Sequence, residues 1–334
     1  RSHLMQGEHV KARDLGAECL TVAEASEDDA LFLGGLFAYA GSLTLMGDFV
    51  SARDQVEKVI VPDNIERHRA IAYDFGQDPI ASMLAYKSWI LWNQGFSVRA
   101  RKQAQDAVAL AEAVAHPLTL SQVLNYAAMT DCFCQDWVQA RSRSEANLKL
   151  SEERGFPQTY WLAVCLHCRA LVGEGAGKDV ASELEAAVRE RKSIGLKAGV
   201  LFEHAFLAEA LSSVNRNQDA RAVLDDAIRF ADESGEGLHL PELHRRDGSI
   251  LLRDADPDSI DAAETRFRKA IEIAEGQGSL SLQLRAATSL AGLWANRNQR
   301  EAAVSLLKPI YGRFTEGFET PDLRAARNML DCLT

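Results

Sequence analysis

The chain has 334 residues, of which 47% are hydrophobic and 25% charged, ordinary values for a folded globular protein. One compact core of this length is unusual, so two domains or a solenoid are the starting expectations. The 37 basic and 48 acidic residues give a formal charge of −11, which argues against a nucleic-acid backbone as partner and leaves room only for a local basic patch such as His244-Arg245-Arg246.

Residues 1–5, RSHLM, read as an expression-vector remnant and are set aside from fold reasoning. Gly7 and Ala12 then begin a turn and a second helix with no first helix before them. The expectation is a piece of a longer protein that starts in mid-repeat. No apolar run approaches the roughly 18 residues of a membrane span, so no membrane partner is expected. The six cysteines sit inside helical patterns and form no dense disulfide framework, which points to a reducing, cytoplasmic setting.

From Ala12 onward one pattern recurs: Ala12, Ala52, Ala100, Ala140, Val180, Ala220, Ala263 and Ala302 are equivalent positions. Four residues on come Gly16, Val56, Ala104, Ser144, Leu184, Leu224, Phe267 and Leu306. Further columns follow seven and eight residues on, ending at Pro309 and Ile310 and passing through Ile60. These offsets lie on one face of an α-helix. The helix before each reference position carries a small-residue column, Ala40, Ser88, Ala128, Cys168 and Ala208, where two helices can approach closely. Between the two helices lies a turn column, Gly7, Gly47, Gly95, Gln135, Gly175 and Asn215, suited to the left-handed backbone that ends a helix. A fixed period of roughly 40 residues marks a repeat array, because a pair of short helices cannot bury its face alone.

The copies differ at identifiable places. Between Ala52 and Ala100 about eight extra residues fall in the stretch 61–79, read as an insertion loop carrying Arg67, His68, Arg69, Tyr73 and Phe75. It is expected either to carry function or to plug the array. Pro117, Pro157 and Pro241 mark helix starts, and residues 254–261 form a polar loop. Residues 320–334 read as a C-terminal capping helix, with Thr320, Pro321 and Asp322 as its start signals, after a repeat array over residues 6–319.

The helix–turn–helix unit resembles the tetratricopeptide repeat, although its period is longer than that repeat's usual length of about 34. The fold expected is therefore all-α: a right-handed tetratricopeptide-like solenoid of about eight helical hairpins with a capping helix. A closer resemblance lies in ERHRAIAYDFGQDP (66–79), SWILWNQGF (88–96), PELHRRDGSILL (241–252), AETRFRKAIEIAEGQGSLSLQLRAATSLAGLW (263–294) and PIYGRFTEGFETPDLRAARNMLDCL (309–333). These stretches resemble the C-terminal repeat region of bacterial class III cyclase–ATPase multidomain signalling proteins. That resemblance implies a regulatory, interacting region. Its partners would be a protein or peptide, or upstream domains of the same polypeptide. Comparable helical arrays that bind a small inducer keep open an alternative, a small-molecule effector in the concave groove.

In such arrays the first helices line the groove. Register from the small-residue column then selects Phe37, Trp89, Trp92, Asn125, Met129, Arg169 and Glu209 as groove residues. Aromatic and Arg anchors are what binding surfaces favour. The plainer reading is that Trp89 and Trp92 pack against the 61–79 insertion. Cys132, Cys134, Cys165 and Cys168 are expected as buried thiols and not as metal ligands, because a CxxC inside a regular helix lacks the turn of a zinc knuckle. His204 and His244 take apolar positions of other copies and are expected to be packed, and Asp131 stands in a leucine column as a buried acid in need of a partner. No nucleophile-elbow, zincin or phosphate-loop pattern occurs, so no catalytic residue, metal or cofactor is expected.

Overall fold

The protein, here as a computed structural model, is described at all residues except Arg1, Ile60, Pro62, Asp63, 176–179, 254–256 and Thr334. The Ile60 position and part of the 254–261 loop thus lie outside the described residues. Everything regular among the described residues is helical. The helices form a tetratricopeptide-like solenoid: a leading helix, seven hairpins and a cap.

The first helices of the hairpins are α3 (Asp29–Met46), α6 (Pro79–Asn93), α8 (Pro117–Cys134), α10 (Pro157–Gly173), α12 (Val200–Ser213), α14 (Leu240–Leu251) and α16 (Leu280–Asn296). Their partners are α4 (Phe49–Val56) with α5 (Ile65–Phe75), then α7 (Ser97–Val114), α9 (Trp137–Arg154), α11 (Val180–Ser193), α13 (Asn217–Ser234), α15 (Pro257–Gly276) and α17 (Arg300–Tyr311). Before them come α1 (Ser2–Met5) and α2 (His9–Ser26), and α18 (Pro321–Leu333) closes the chain.

Composition decides which helix does what. A second helix such as α13 buries one stripe, Ala220, Leu224, Ala227 and Ala231, and turns charges outward. A first helix such as α12 is buried nearly all round, because its own partner and the neighbouring first helices cover it. The small column Ala40, Ser88, Ala128, Cys168 and Ala208 is fully buried. Gly248 extends it, since a Cβ there would lie 2.8 Å from the Phe267 ring. The turn column has left-handed backbone throughout, from Gly7 at φ 76° to Asn215 at φ 64°.

Four expectations need correction. In the last hairpin the buried stripe is Ala303, Leu307 and Ile310, one residue beyond the Ala302–Leu306–Pro309 register; Ala302 faces solvent. Within the 61–79 stretch, residues 65–75 are not a loop: α5 follows α4 as a further helix and packs on α7 and α6, with His68 and Ala72 buried. It sits on the outer layer and does not plug the array. Residues 2–5 are not outside the fold either: α1 packs on α2 and α3, with Leu4 only 1% exposed. Finally, α3 has 18 residues, a mean hydropathy of 1.4 and one charge, so by length and composition it is apolar enough to cross a membrane. Its apolarity here serves packing: Gly35, Leu36, Phe37 and Ala40–Leu45 are buried among neighbouring helices.

The solenoid winds tightly enough to meet itself. Lys197 and Ala198 donate backbone N–H groups to the Met5 carbonyl, and Gly237 and Leu238 to that of Leu45. The Ser281 hydroxyl donates to the Trp92 carbonyl across 189 residues, and Ser279 to Asn93 Oδ1 across 186. Gln135 Nε2 reaches Asp322 across 187. Each contact joins the C-terminal end of a helix, or the turn just after it, to a linker or helix start one superhelical turn later. With repeats of roughly 40 residues, one turn takes about five hairpins. This seam satisfies backbone groups that a wider solenoid leaves to water, and it encloses the concave face.

Candidate functional site

The concave face holds a half-open cavity of about 260 Å³. Its wall comes from five successive first helices and the cap: Cys132 and Phe133 on α8, Arg169 on α10, Phe206 and Glu209 on α12, Glu242, Arg245 and Arg246 on α14, Arg285 on α16, Asp322 on α18, with Gln135 and His239 at helix ends. A second cavity of about 240 Å³ adjoins it and shares Glu209, Arg245 and Arg246.

The wall is a network of ion pairs. Arg245 binds Glu242 through both fork nitrogens, at 2.7 Å each. Arg246 lies 3.0 Å from Glu242 Oε1 and 2.8 Å from Glu209 Oε2, and Arg169 lies 3.2 Å from that same Glu209 oxygen. Arg285 donates to Asp322 at 2.9 Å and to the Phe133 carbonyl at 2.6 Å. Aromatic faces hold two of the arginines in place. Arg285 lies 4.8 Å from the Trp92 ring centre and Arg169 lies 4.3 Å from that of Trp137. Trp137 fits there because Gly173 leaves the space; a Cβ would lie 2.3 Å from the indole.

Burial opposes the charge of Glu242, but Arg245 and Arg246 outweigh it and hold the carboxyl well below its usual range. Glu209 shows the same balance, with Arg246 and Arg169 overcoming burial. Arg169 is the exception among the arginines: burial lowers its pKa and Glu209 does not fully compensate. Burial, with no sufficient acid beside it, drops His239 to about 3, so this imidazole is neutral.

The residues selected from register fall into separate environments. Arg169 and Glu209 meet in the large cavity. Trp89, Asn125 and Met129 line a separate, smaller apolar cavity of about 60 Å³, beside Leu4 and Phe202. Trp92 is 2% exposed and stacks on Phe133 at 4.8 Å. Phe37 stacks on Tyr86 and faces Phe75 in a third recess. Neither tryptophan packs on the insertion: Trp89 contacts Tyr86, Tyr126 and Phe133 and donates its N–H to the Tyr126 carbonyl at 2.9 Å. The insertion residues are outside the concavity. His68 is buried and bonds Asp78 at 2.6 Å, Arg69 donates to the carbonyls of Ala113 and Val114 that end α7, Arg67 pairs with Asp29 at 3.7 Å, and Tyr73 is 87% exposed.

Asp131 finds its partner in Arg143 at 2.9 Å, and burial pushes its carboxyl up to about 7. Cys132, Cys134, Cys165 and Cys168 are buried free thiols, raised by burial, and no metal-ligating cluster occurs among the described residues. His204 bonds the Val200 carbonyl and His244 is buried at about 4. Sequence reasoning missed Arg245, Arg246, Arg285, Glu242, His239 and Asp322 as site residues. One signal existed: Gly248 continues the small column, which puts Arg245 in the groove column of Phe37 and Asn125. Arg285 and Asp322 had no such signal, because they enter through the seam.

No family model matches the sequence, and no curated protein does. Among solved structures, the chain is similar to a Rap protein complexed with competence and sporulation factor, with a TM-score of 0.60 at 12% identity over 99% of this chain and 94% of that one. It is also similar to NprR in complex with its cognate peptide NprX, with a TM-score of 0.52 at 10% identity over 92% and 89%. A third is aspartyl phosphate phosphatase F from Bacillus subtilis, with a TM-score of 0.52 at 12% identity over 88% and 73%. At these identities the likeness is one of fold, the tetratricopeptide-like helical repeat.

Proposed function

We propose that this chain is a non-catalytic regulatory repeat domain that receives a peptide or protein segment in its enclosed concave face. The observation that carries the reading is the cavity itself. The seam closes the superhelix around about 260 Å³ of space, lined by polar groups from five hairpins and the cap. A segment bound there would touch both superhelical turns at once, so binding would bias their closure. Two of the similar folds are described in complex with such ligands, competence and sporulation factor and the peptide NprX. The stretches resembling cyclase–ATPase signalling proteins support a parent of that architecture, in which upstream domains supply the output.

The test is affinity selection of a random hexapeptide library on the immobilised protein. Enriched peptides that are displaced together by one of their number support a single lumenal site. No enrichment over a blank surface contradicts it.

A second reading, a small-molecule effector, rests on the apolar cavity at Trp89. There the carbonyl oxygens of Asn125 and Gln122 are buried without hydrogen-bond partners. Asn125 Nδ2 is fixed on the Thr159 carbonyl at 2.8 Å, so the unpaired oxygen has a defined direction. Quenching of tryptophan emission by small amides, absent in Asn125→Leu, would favour this reading; no quenching would remove it.

A further inference from the structure

We propose that the large cavity is a recognition site for a carboxylate carried by the bound segment, with Arg169 and Arg246 as its receptors. The inference rests on the lumenal reading and names the chemistry that the segment must present.

The charges facing the cavity are four guanidinium groups, Arg169, Arg245, Arg246 and Arg285, and three carboxylates, Glu209, Glu242 and Asp322. His239 adds none. One positive charge is therefore left over inside a chain whose formal charge is −11. A charge withdrawn from water needs a partner, and breaking up such a network costs more than a surface pair ever returns.

The surplus has an address. Arg245 has its own carboxylate in the two-pronged contact with Glu242 and also reaches the Ser289 hydroxyl, and Arg285 has Asp322 and the Phe133 carbonyl. Arg169 and Arg246 instead share the single oxygen Glu209 Oε2. Arg169 Nε has no hydrogen-bond partner although the residue is only 7% exposed. Arg246 Nε is at ion-pair distance from Glu242 without the alignment of a hydrogen bond. A guanidinium offers five N–H donors in a fixed fork, the geometry that matches a carboxylate. A monoanion balances the surplus. A phosphate dianion overshoots it. The carboxylate can come from an Asp or Glu side chain or from a free chain end.

The experiment uses three hexapeptide pools on the immobilised protein, read by mass spectrometry. One is amidated with Glu at a fixed position, one is amidated with Gln there, and one has Gln there and a free carboxyl end. Retention of the first or third pool at least tenfold above the second is expected, and which of the two is retained identifies the source. Arg169→Met should abolish the preference and Arg169→Lys should weaken it. Arg216→Met, an exposed outer arginine paired with Glu185, should leave it unchanged. Equal retention of all pools, or an unchanged preference in both Arg169 variants, overturns the carboxylate site while the lumenal reading stands. Retention of no pool overturns both. Retention of pools by the Arg169 variants without preference shows that they fold and confirms the role of the guanidinium.

Discussion

The carbonyl of Leu45 accepts the N–H of Gly237 at 2.8 Å, and these two residues belong to successive superhelical turns. This bond requires Gly237. A Cβ there would lie 2.3 Å from the Met46 carbonyl oxygen, a backbone atom that cannot rotate away. Gly237→Ala should therefore separate the turns and cost about 1–3 kcal/mol or more in urea unfolding. Gly155, at φ 67° with open space around it, is the control. Gly155→Ala carries only backbone strain, about 1 kcal/mol. Equal costs for the two would mean that the seam contributes nothing.

Asp131 gives a pH signature. Its carboxyl stands at about 7 in the fold against an ordinary 3.8, raised by burial against the pull of Arg143, with Asp136 adding and Arg101 opposing. The folded state thus keeps a proton that the unfolded chain releases, and stability falls as pH rises from about 4 to about 7. Asp131→Asn removes this dependence. Measured as the difference between variant and wild type, stability should favour the variant progressively from about pH 4 to about pH 7, by up to about 1.4 kcal/mol per pH unit, and level off above that. Glu203, held 2.5 Å from Arg191 and also raised by burial to about 7, should behave in the same direction. A flat difference curve would mean that Asp131 is ionised throughout.

Glu242 anchors the arginine wall. Glu242→Gln strands Arg245 and leaves Arg246 to Glu209 alone, and an unfolding cost of about 3–5 kcal/mol is expected. Adding Arg245→Met should recover part of that loss, because the stranded charge is removed with it. A double-mutant cycle on chemical denaturation reads the coupling. An additive result would place the two residues in separate networks.

Trp89 is a structural residue at the edge of the smaller cavity. Trp89→Ala should cost about 3–5 kcal/mol through the void it leaves. Trp89→Phe should cost about 1–3 kcal/mol, since the smaller ring leaves space and the Tyr126 carbonyl loses one of its donors while keeping the Thr130 hydroxyl at 3.2 Å. Lost binding in Trp89→Ala therefore reports on folding first. Thermal melts of both variants check this, and a cost below about 1 kcal/mol for the alanine would show the ring to be dispensable.

These features differ in how far the sequence reveals them, and range along the chain explains the difference. The hairpin period, the small column and the left-handed turns are local, repeated from copy to copy, and readable in Ala, Gly and Asn spacing. The 61–79 stretch was misread because the helical periodicity of Ile65, His68 and Ala72 is short and follows a break. Arg169 and Glu209 were found because register along first helices is local. Asp322 and Arg285 were not, because only the superhelical pitch brings the cap to α8. That pitch arises from packing angles summed over about five hairpins, and no single repeat encodes it. The seam, and with it the enclosure of the site, was therefore invisible at the level of one repeat.

The most direct test of the enclosed lumen is backbone hydrogen–deuterium exchange on the free protein and with a selected hexapeptide bound. The account predicts slow exchange at Gly237, Leu238 and Lys197 in the free protein. On binding, it predicts added protection over residues 125–135, 202–209 and 239–249, on the concave face of α8, α12 and α14. Unprotected seam amides, or peptide-induced protection confined to the outer helices α7, α9 and α13, would contradict it.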